Sequence, residues 1–395
     1  MTSHNEIKDL VCPFCSLHCD DIKVSITRDQ FKVHKKDLIC AKKIESYNIK
    51  NKSLMFPLIK GKISTLSEAL KISKKVISNH NEILLLNHGV ELSGLRAILS
   101  FASEHNCIID HINSKTLFQN LNIMQRTGYM ATSLTEIKNR ADVIIVFGNK
   151  LFEKSPRLLE KVLQTKNSLC SDIRKKEIIL IGDFSKNIIH KIKKSSGVTN
   201  IKLNLDMIPD LMQLLSSDTK SINTKILSKT NLNKIIKVIS GSKYLVATWM
   251  GSDFLKNKNP EKIISSISKY IVNYNENKRG ACAPIAGPLG DITSSQTLAW
   301  MTGFASRIKF TDTTFHHDRM AYNGDLLVTN KNVDTVIHIS TIASNKLEIN
   351  KNLYNIVLGH PNSTFTNTPD IFIPVGIPGI DYDGIMFRTD NVVSV

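Results

Sequence analysis

The sequence predicts an α/β protein in three parts: a small N-terminal cysteine domain of the Fe–S type over residues 1–60, then two doubly wound, Rossmann-like lobes over residues 61–220 and 221–395. Four of the seven cysteines crowd the first forty residues. Short apolar segments alternate with amphipathic ones from residue 61 onward, which is typical of helices packed on a parallel sheet. The length of 395 residues suits two to three domains at roughly 100–200 residues each.

The elements of the cysteine domain follow from its short polar and apolar segments. Residues 21–27 and 30–34 are predicted to be two short strands after a tight cysteine loop. The basic turn Lys35-Lys36-Asp37 leads to Cys40 and to a short helix that ends near Tyr47.

The elements of the two lobes follow from hydrophobic periodicity and from turn residues. Thr65-Leu-Ser-Glu68 has the form of a helix start in which Thr and Glu cap each other. Pro156 is predicted to open a helix that runs to residue 163, and a polar stretch at 216–224 is a candidate linker. Apolar segments predict strands at 82–87, 107–110, 141–148, 177–182, 243–248, 333–339, 355–358 and 370–374, and amphipathic ones predict helices at 92–105, 260–270 and 291–301.

The amino-acid composition limits the kinds of partner that we expect the chain to bind. The 52 basic residues outnumber the 35 acidic ones, so the formal net charge is +17 and the surface can attract anions. The lysines are dispersed and no nucleic-acid-binding motif is present, so we expect no nucleic-acid partner. No apolar run reaches the 18 residues of a membrane span, and the first ten residues lack a signal-peptide layout. We therefore expect a cytoplasmic protein with no membrane partner.

The N-terminal cysteines are candidate metal ligands. Their spacing is Cys12-x2-Cys15-x3-Cys19-x20-Cys40, in which three closely spaced thiolates and one distant thiolate suit a [4Fe–4S] cluster. A structural zinc ion, which usually takes two Cys-x2-Cys knuckles, and thiols without metal remain alternatives. The scattered Cys107, Cys170 and Cys282 are predicted to be small buried hydrophobic residues.

This layout resembles the molybdopterin- and tungstopterin-dependent oxidoreductases, and more closely the B subunit of formylmethanofuran dehydrogenase. Four segments carry the resemblance, which covers nearly the whole chain. They are Cys12-Pro-Phe-Cys-Ser-Leu-His-Cys-Asp-Asp-Ile22, the block from Gly128-Tyr129 through Thr132-Ser-Leu-Thr-Glu-Ile-Lys-Asn-Arg-Ala-Asp-Val143 to Gly148-Asn149, Trp300-Met-Thr-Gly-Phe304, and Asp370-Ile-Phe-Ile-Pro-Val-Gly-Ile-Pro-Gly-Ile-Asp381 with Phe387-Arg-Thr-Asp390.

The resemblance implies a metal-bis-pterin centre that reduces carbon dioxide to formate, with the cluster supplying electrons. In the family a cysteine or selenocysteine holds the tungsten or molybdenum, at a position that falls near Thr116 here. No cysteine occurs between Cys107 and Cys170, and the nearby Ser114 is only a weak substitute ligand. We also expect no C-terminal β-barrel of the kind that closes this cofactor in related enzymes. The resemblance therefore predicts no bound molybdopterin or tungstopterin and no catalytic or pterin-binding residues.

Without the metal-ligating cysteine, the chain resembles a bacterial branch of the family, the formyltransferase/hydrolase complex of methylotrophic formaldehyde oxidation. That resemblance implies a redox-inactive structural B subunit whose partners are a formyltransferase, an amidohydrolase related to the dehydrogenase's A subunit, and a C-like subunit. The complex would convert formyl-tetrahydromethanopterin to formate through a methanofuran-type carrier. An active molybdenum or tungsten dehydrogenase subunit, and an unrelated iron–sulfur electron carrier or sensor, remain alternatives.

Two further expectations concern anionic ligands. The loops Gly148-Asn149, Met250-Gly-Ser252 and Gly287-Pro-Leu-Gly290 follow predicted strands, where cofactor phosphates bind in α/β sheets, although ordinary turns explain them equally well. The acidic polyglutamate tail of a methanofuran-type carrier is a candidate partner for the basic surface, with Lys278, Arg279 and Arg388 as candidate contacts. A lysine-rich composition set by the genome is the alternative.

Overall fold

The computed structural model describes residues 5–27, 30–34, 40–48, 55–164, 169, 176–216 and 226–395. Cys170, the turn Lys35-Lys36-Asp37 and nearly all of the candidate linker at 216–224 lie outside these residues. The described chain is a mixed α/β structure. None of its helices combines the length and the hydropathy that crossing a bilayer requires.

The strands, in chain order, are β1 (Asn5–Leu10), β2 (Ile22–Thr27), β3 (Gln30–Val33), β4 (Leu58–Ile59), β5 (Lys62–Ile63), β6 (Ile83–Asn87), β7 (Ile108–His111), β8 (Val143–Phe147), β9 (Glu177–Ile181), β10 (Gly197–Ile201), β11 (Tyr244–Met250), β12 (Arg279–Ile285), β13 (Ile308–Phe310), β14 (Phe315–His317), β15 (Thr335–Ser340), β16 (Lys346–Leu347), β17 (Tyr354–Gly359), β18 (Thr364–Phe365) and β19 (Ile371–Pro374).

The helices are α1 (Ala41–Ile44), α2 (Leu66–Asn79), α3 (Leu92–Glu104), α4 (Ser114–Thr127), α5 (Leu134–Arg140), α6 (Lys150–Lys154), α7 (Lys186–Lys193), α8 (Ile208–Ser216), α9 (Lys229–Ser240), α10 (Pro260–Tyr274), α11 (Asp291–Thr302) and α12 (Gly324–Asn330). Short 3-10 turns occupy Glu45–Tyr47, Leu205–Met207 and Gly251–Asp253.

The chain folds into two compact units that are not contiguous in sequence. Unit 1 comprises Met1–Ser114, Pro288–Arg388 and Val393–Val395, and unit 2 comprises Lys115–Gly287 and Thr389–Val392. The predicted lobes at 61–220 and 221–395 differ from this division. The reason is that parallel β6 pairs with β15, so residues on both sides of unit 2 share one sheet.

Unit 2 is built on a five-stranded parallel sheet with the order β10-β9-β8-β11-β12. From β8 the chain moves outward to β9 and β10, then returns to the other side of β8 with β11 and β12. The winding direction therefore reverses between β8 and β11. All five residues of β8 and all seven of β11 are buried, because helices cover both faces of a sheet of this kind.

Unit 1 contains a nine-stranded sheet with the order β14-β13-β7-β6-β15-β17-β19-β4-β5, parallel in its centre and antiparallel at its edges. Here the winding direction reverses between β6 and β15. A separate antiparallel sheet, β1-β2-β3, precedes it, and the short strands β16 and β18 pair with each other.

Short sequence patterns predict the positions of most helices and strands. The two strands and the short helix predicted near the N-terminus are confirmed. The Thr65 hydroxyl accepts a hydrogen bond from the Glu68 N–H at 3.2 Å while the Glu68 carboxylate accepts one from the Thr65 N–H, as predicted for the start of α2. The helix expected after Pro156 is instead a π-helical turn over Leu159–Leu163.

Candidate functional site

The four N-terminal cysteines lie in one buried region of unit 1. The Cys12 N–H donates to the Cys19 carbonyl at 2.9 Å and the His18 N–H to the Cys15 carbonyl at 3.2 Å, so hydrogen bonds close the loop on itself. Cys40 begins the turn that leads into α1, since its carbonyl accepts from Lys43 N–H at 2.9 Å. All four are between 4% and 8% exposed, and none is in a disulfide.

Apolar and aromatic side chains enclose this cysteine region. Cys12 packs in a cluster with Phe14, Ile22, Val24 and Tyr47. The Phe14 and Tyr47 rings stack with centroids 5.0 Å apart. The surroundings of the thiols are therefore largely water-excluded, which favours neutral or metal-bound sulfur over a free thiolate.

His18 fixes the cysteine loop to a distant part of unit 1. Its Nδ1 lies 3.3 Å from the Cys12 carbonyl and its Nε2 lies 3.1 Å from the Phe387 carbonyl. Its backbone is in the left-handed region with φ of 44°, an uncommon conformation for a residue other than glycine. Burial lowers the pKa of His18, and the two carbonyls oppose that effect. The side chain thus anchors the turn between Cys15 and Cys19.

Four buried thiols are the type of donor that a thiolate-ligated cluster requires. Burial raises the pKa of Cys12 to about 12, and the negative charges of Cys15, Cys40 and Cys19 add to this effect. A bound polynuclear cation would offset both costs. Within the described residues, no group of three or more His, Cys, Asp or Glu side chains, the four cysteines included, is arranged to hold a metal ion. The residues that would hold a [4Fe–4S] cluster are Cys12, Cys15, Cys19 and Cys40, and the cluster would supply electron storage or a cross-link.

Two positions near the family's tungsten or molybdenum ligand carry no thiol. Ser114 is buried, and its hydroxyl accepts hydrogen bonds from Arg307 Nε at 3.2 Å and Nη2 at 3.0 Å. Arg307 also pairs with Asp110 at 3.5 Å, and Asp110 accepts from Ser306 Oγ at 2.9 Å. The Ser114 hydroxyl is therefore engaged by a buried guanidinium within this network.

Thr116 belongs to unit 2, where it packs against Gly251. A Cβ atom at Gly251 would lie 3.1 Å from the Thr116 carbonyl oxygen and 3.2 Å from Asn120 Nδ2. The same Asn120 accepts a hydrogen bond from the buried Trp249 indole at 3.0 Å. The start of α4 is thus tightly packed against the end of β11.

The strand-end loop of unit 2 is filled by a carboxylate. Gly148 follows β8 with φ of 81°, and a Cβ atom there would lie 2.3 Å from the carboxyl carbon of Asp253. The Asp253 carboxylate accepts from the Lys150 N–H at 3.0 Å. Burial raises the pKa of Asp253 to about 6. An anionic phosphate at this switch point would meet the Asp253 side chain.

The corresponding position of unit 1 is filled by a leucine. Leu289, in the loop before α11, has φ of 63° and lies over the end of β6, where a Cβ atom on Gly89 would be 3.0 Å from Leu289 Cβ. Gly290 is equally close to β6, since its Cβ position would lie 2.9 Å from the Val90 carbonyl. In each unit, therefore, another part of the chain lies directly against a glycine at a strand end.

Sequence reasoning missed a row of buried imidazoles at the ends of the central strands of unit 1. Asn355 donates from Nδ2 to two backbone carbonyls, so its Oδ1 accepts from His338 Nε2 at 3.2 Å. His338 Nδ1 must then accept from His88 Nε2 at 3.0 Å. His111 lies at the end of the neighbouring strand, with Nδ1 accepting from the Asn113 N–H at 3.0 Å. These side chains come together only because strands that are far apart in the sequence pair with each other. No short sequence pattern therefore predicts the contact between them.

These imidazoles are held neutral. Burial lowers the pKa of His88 to about 3, and neighbouring imidazoles add to the effect. Burial also lowers the pKa values of His111, His338 and His360 to about 4 each.

The four buried cysteines lead to a first prediction. Protein purified without oxygen, or reconstituted with iron and sulfide, is expected to bind about four irons per chain and to absorb broadly in the visible. Replacing Cys15 with Ser should lower the iron content and the absorbance together, whereas Cys282→Ser should leave both unchanged because Cys282 lies in unit 2. Zinc in place of iron, or iron retained in full by Cys15→Ser, would contradict the assignment.

The imidazoles lead to a second prediction. Well above pH 6.5 they are neutral whether the chain is folded or unfolded, so they do not affect the pH dependence of stability there. As pH falls from about 6.5 towards 4, the imidazoles bind protons in the unfolded chain but not in the folded chain. The free energy of unfolding therefore drops by up to about 1.4 kcal/mol per pH unit for each imidazole. Urea unfolding between pH 7.5 and pH 4.5 should show this loss.

His338→Asn removes one such group and should flatten that slope, while the exposed His190→Asn should not. An unchanged slope for His338→Asn would mean that the imidazole row does not control acid stability.

Comparison with known proteins confirms the resemblance to the B subunit of formylmethanofuran dehydrogenase. The chain is 19% identical over 411 residues to the B subunit of tungsten-containing formylmethanofuran dehydrogenase 2 from Methanococcus maripaludis, covering 98% of this chain and 92% of that protein. The same enzyme's B subunit from Methanocaldococcus jannaschii is 19% identical over 415 residues, with 98% and 92% covered. No family model matches the chain.

A bacterial relative is similar over most of its length. The B subunit of the Fhc formyltransferase/hydrolase complex from Methylorubrum extorquens is 18% identical over 337 residues, covering 84% of this chain and 87% of that protein. The fold is that of a chain in the solved FhcABCD complex of M. extorquens with methylofuran. The TM-score is 0.69 at 17% identity, over 86% of this chain and 92% of that one.

Proposed function

We propose that this chain is the B subunit of a formyltransferase/hydrolase complex and is structural, without redox chemistry of its own. The complex would move the formyl group from tetrahydromethanopterin to a methanofuran-type carrier and release it as formate, within methylotrophic formaldehyde oxidation. In this proposal the first sixty residues are the iron–sulfur-type domain, and the two units are the counterparts of Rossmann-like lobes.

One observation carries the proposal. The similarity to tungsten-containing B subunits extends over 98% of the chain, yet no cysteine occurs between Cys107 and Cys170, where the family's metal ligand falls. Two contacts add support, because Asp253 and Leu289 lie against the glycines that follow strands β8 and β6, and cofactor phosphates bind at such strand ends in α/β sheets. Protein side chains alone cannot reduce carbon dioxide, so a chain without the pterin would have no such activity.

The proposal includes partners and a compartment. A formyltransferase, an amidohydrolase related to the dehydrogenase's A subunit, and a C-like subunit would assemble with this chain in a hetero-oligomer, as the FhcABCD assembly suggests. The complex would work in the cytoplasm, where reduced thiols and an iron–sulfur cluster persist.

Co-expression with these partners tests the proposal. We expect a complex that releases formate from formyl-tetrahydromethanopterin without an electron acceptor and contains no stoichiometric tungsten or molybdenum. Thr116→Ala should leave formate release unchanged. Ser114→Ala should also leave formate release unchanged, but it is a less specific test because it removes one of the acceptors of the buried Arg307. Stoichiometric tungsten or molybdenum with pterin, or formate release that depends on an electron acceptor, would support an active dehydrogenase subunit instead.

We further propose that the basic surface holds the acidic tail of the carrier while its reactive end moves between active sites. Two of the candidate contacts already have protein partners. Arg279 contacts the Glu136 carboxylate and lies 4.6 Å over the Tyr244 ring, and Lys278 Nζ donates to the Ser240 carbonyl. The support is therefore the net charge of +17, spread over many lysines, more than any single residue.

Salt dependence tests the tail proposal. Because exposed charges are screened over a Debye length of about 8–10 Å at physiological salt, carrier affinity for the isolated chain should fall steadily from about 0.05 M to about 0.3 M salt. A carrier analogue without the glutamate tail is the control and should bind weakly at every salt concentration. Equal binding of both carriers, or affinity independent of salt, would contradict the proposal.

A further inference from the structure

Unit 1 carries an apolar groove away from the cysteine region and the imidazole row. Its volume is about 490 Å³, within the range of sites that accept a side chain or a small ligand. Leu99 of α3, Met301 of α11, and Phe310 and Phe315 of strands β13 and β14 form its apolar lining, and Arg96 stands among serine side chains on the α3 side.

Exposed apolar side chains lie on the wall of this groove and beside it. Met301 in the wall is 57% exposed. The Phe304 ring lies beside the wall residue Phe315, with centroids 6.4 Å apart, and stacks on His317 with centroids 4.8 Å apart, which holds it in place. Exposed apolar side chains held by such contacts are typical of protein interfaces.

Arg96 gives the groove a charge preference. Its exposed guanidinium has no carboxylate partner and no hydrogen-bond acceptor among the described residues. The nearest acidic residue along the outer face of α3, Glu104, accepts from Ser100 Oγ at 3.2 Å. A ligand with a carboxylate beside an apolar group would complement both features of the groove.

We propose that this groove is where a partner subunit of the hetero-oligomer docks, with an apolar side chain between Leu99, Met301 and Phe315 and a carboxylate against Arg96. This inference rests on the proposed function. A second copy of this chain is a poorer occupant, because two surfaces of net charge +17 repel each other. Edge strand β14, which pairs only with β13 among the described strands, would be covered by the same contact.

The test uses the full chain co-expressed with the formyltransferase and amidohydrolase subunits of its own organism. Arg96→Glu reverses the charge at the rim and Met301→Glu places a carboxylate on the apolar wall, and both positions are exposed enough to keep the fold. Each variant should weaken association at least about tenfold, equal to about 1.4 kcal/mol. Ile236→Glu, on an exposed apolar residue of unit 2, is the matched control and should assemble as wild type.

Three outcomes distinguish the groove proposal from the proposed function. Wild-type assembly that neither groove variant weakens would overturn the groove proposal and leave the proposed function standing. Variants that lose only self-association would assign the groove to a second copy and also overturn it. A wild-type chain that binds no partner subunit would contradict both proposals. Thermal melting of each variant, expected to match that of Ile236→Glu, excludes misfolding as the cause.

Discussion

The parallel pairing of β6 with β15 is the contact on which unit 1 depends. It joins Leu86 to His338 across the sheet and brings together chain segments that lie on either side of unit 2. The entropic cost of closing so long a loop grows only slowly with its length, so buried strand pairing can offset it. Residues 115–287, which lie between these two segments in the sequence, belong to the other compact unit and carry its five-stranded sheet.

The same pairing creates the polar interior of unit 1. It sets the ends of β6 and β15 side by side, so that His88 meets His338 and the hydrogen-bond chain continues to Asn355. The fixed amide of Asn355 determines which nitrogen of His338 carries the proton. The register between β6 and β15 therefore determines which buried imidazoles form hydrogen bonds with each other.

Local chemistry explains which parts could be predicted from the sequence. The mutual cap of Thr65 and Glu68, the proline at the start of α10 and the apolar strands around Ile144 are each encoded within a few residues. The cysteine spacing is local as well, and the structure buries all four thiols in one region. By contrast, Ser114 meets Arg307 from 193 positions away, and Asp253 reaches Gly148 only after β8 and β11 have paired. Such contacts depend on the complete topology, so they cannot be predicted from short stretches of the sequence.

The filled strand ends also bear on how the chain could change over evolution. At Gly148 a Cβ atom would meet the Asp253 carboxylate, and at Gly89 it would meet Leu289. Both glycines have a positive φ, a backbone conformation that other residues rarely adopt. Replacement of either glycine would thus require a compensating change at its neighbour within the same unit. Each pair is therefore expected to vary together, whereas the four N-terminal cysteines could be kept or lost independently of both pairs.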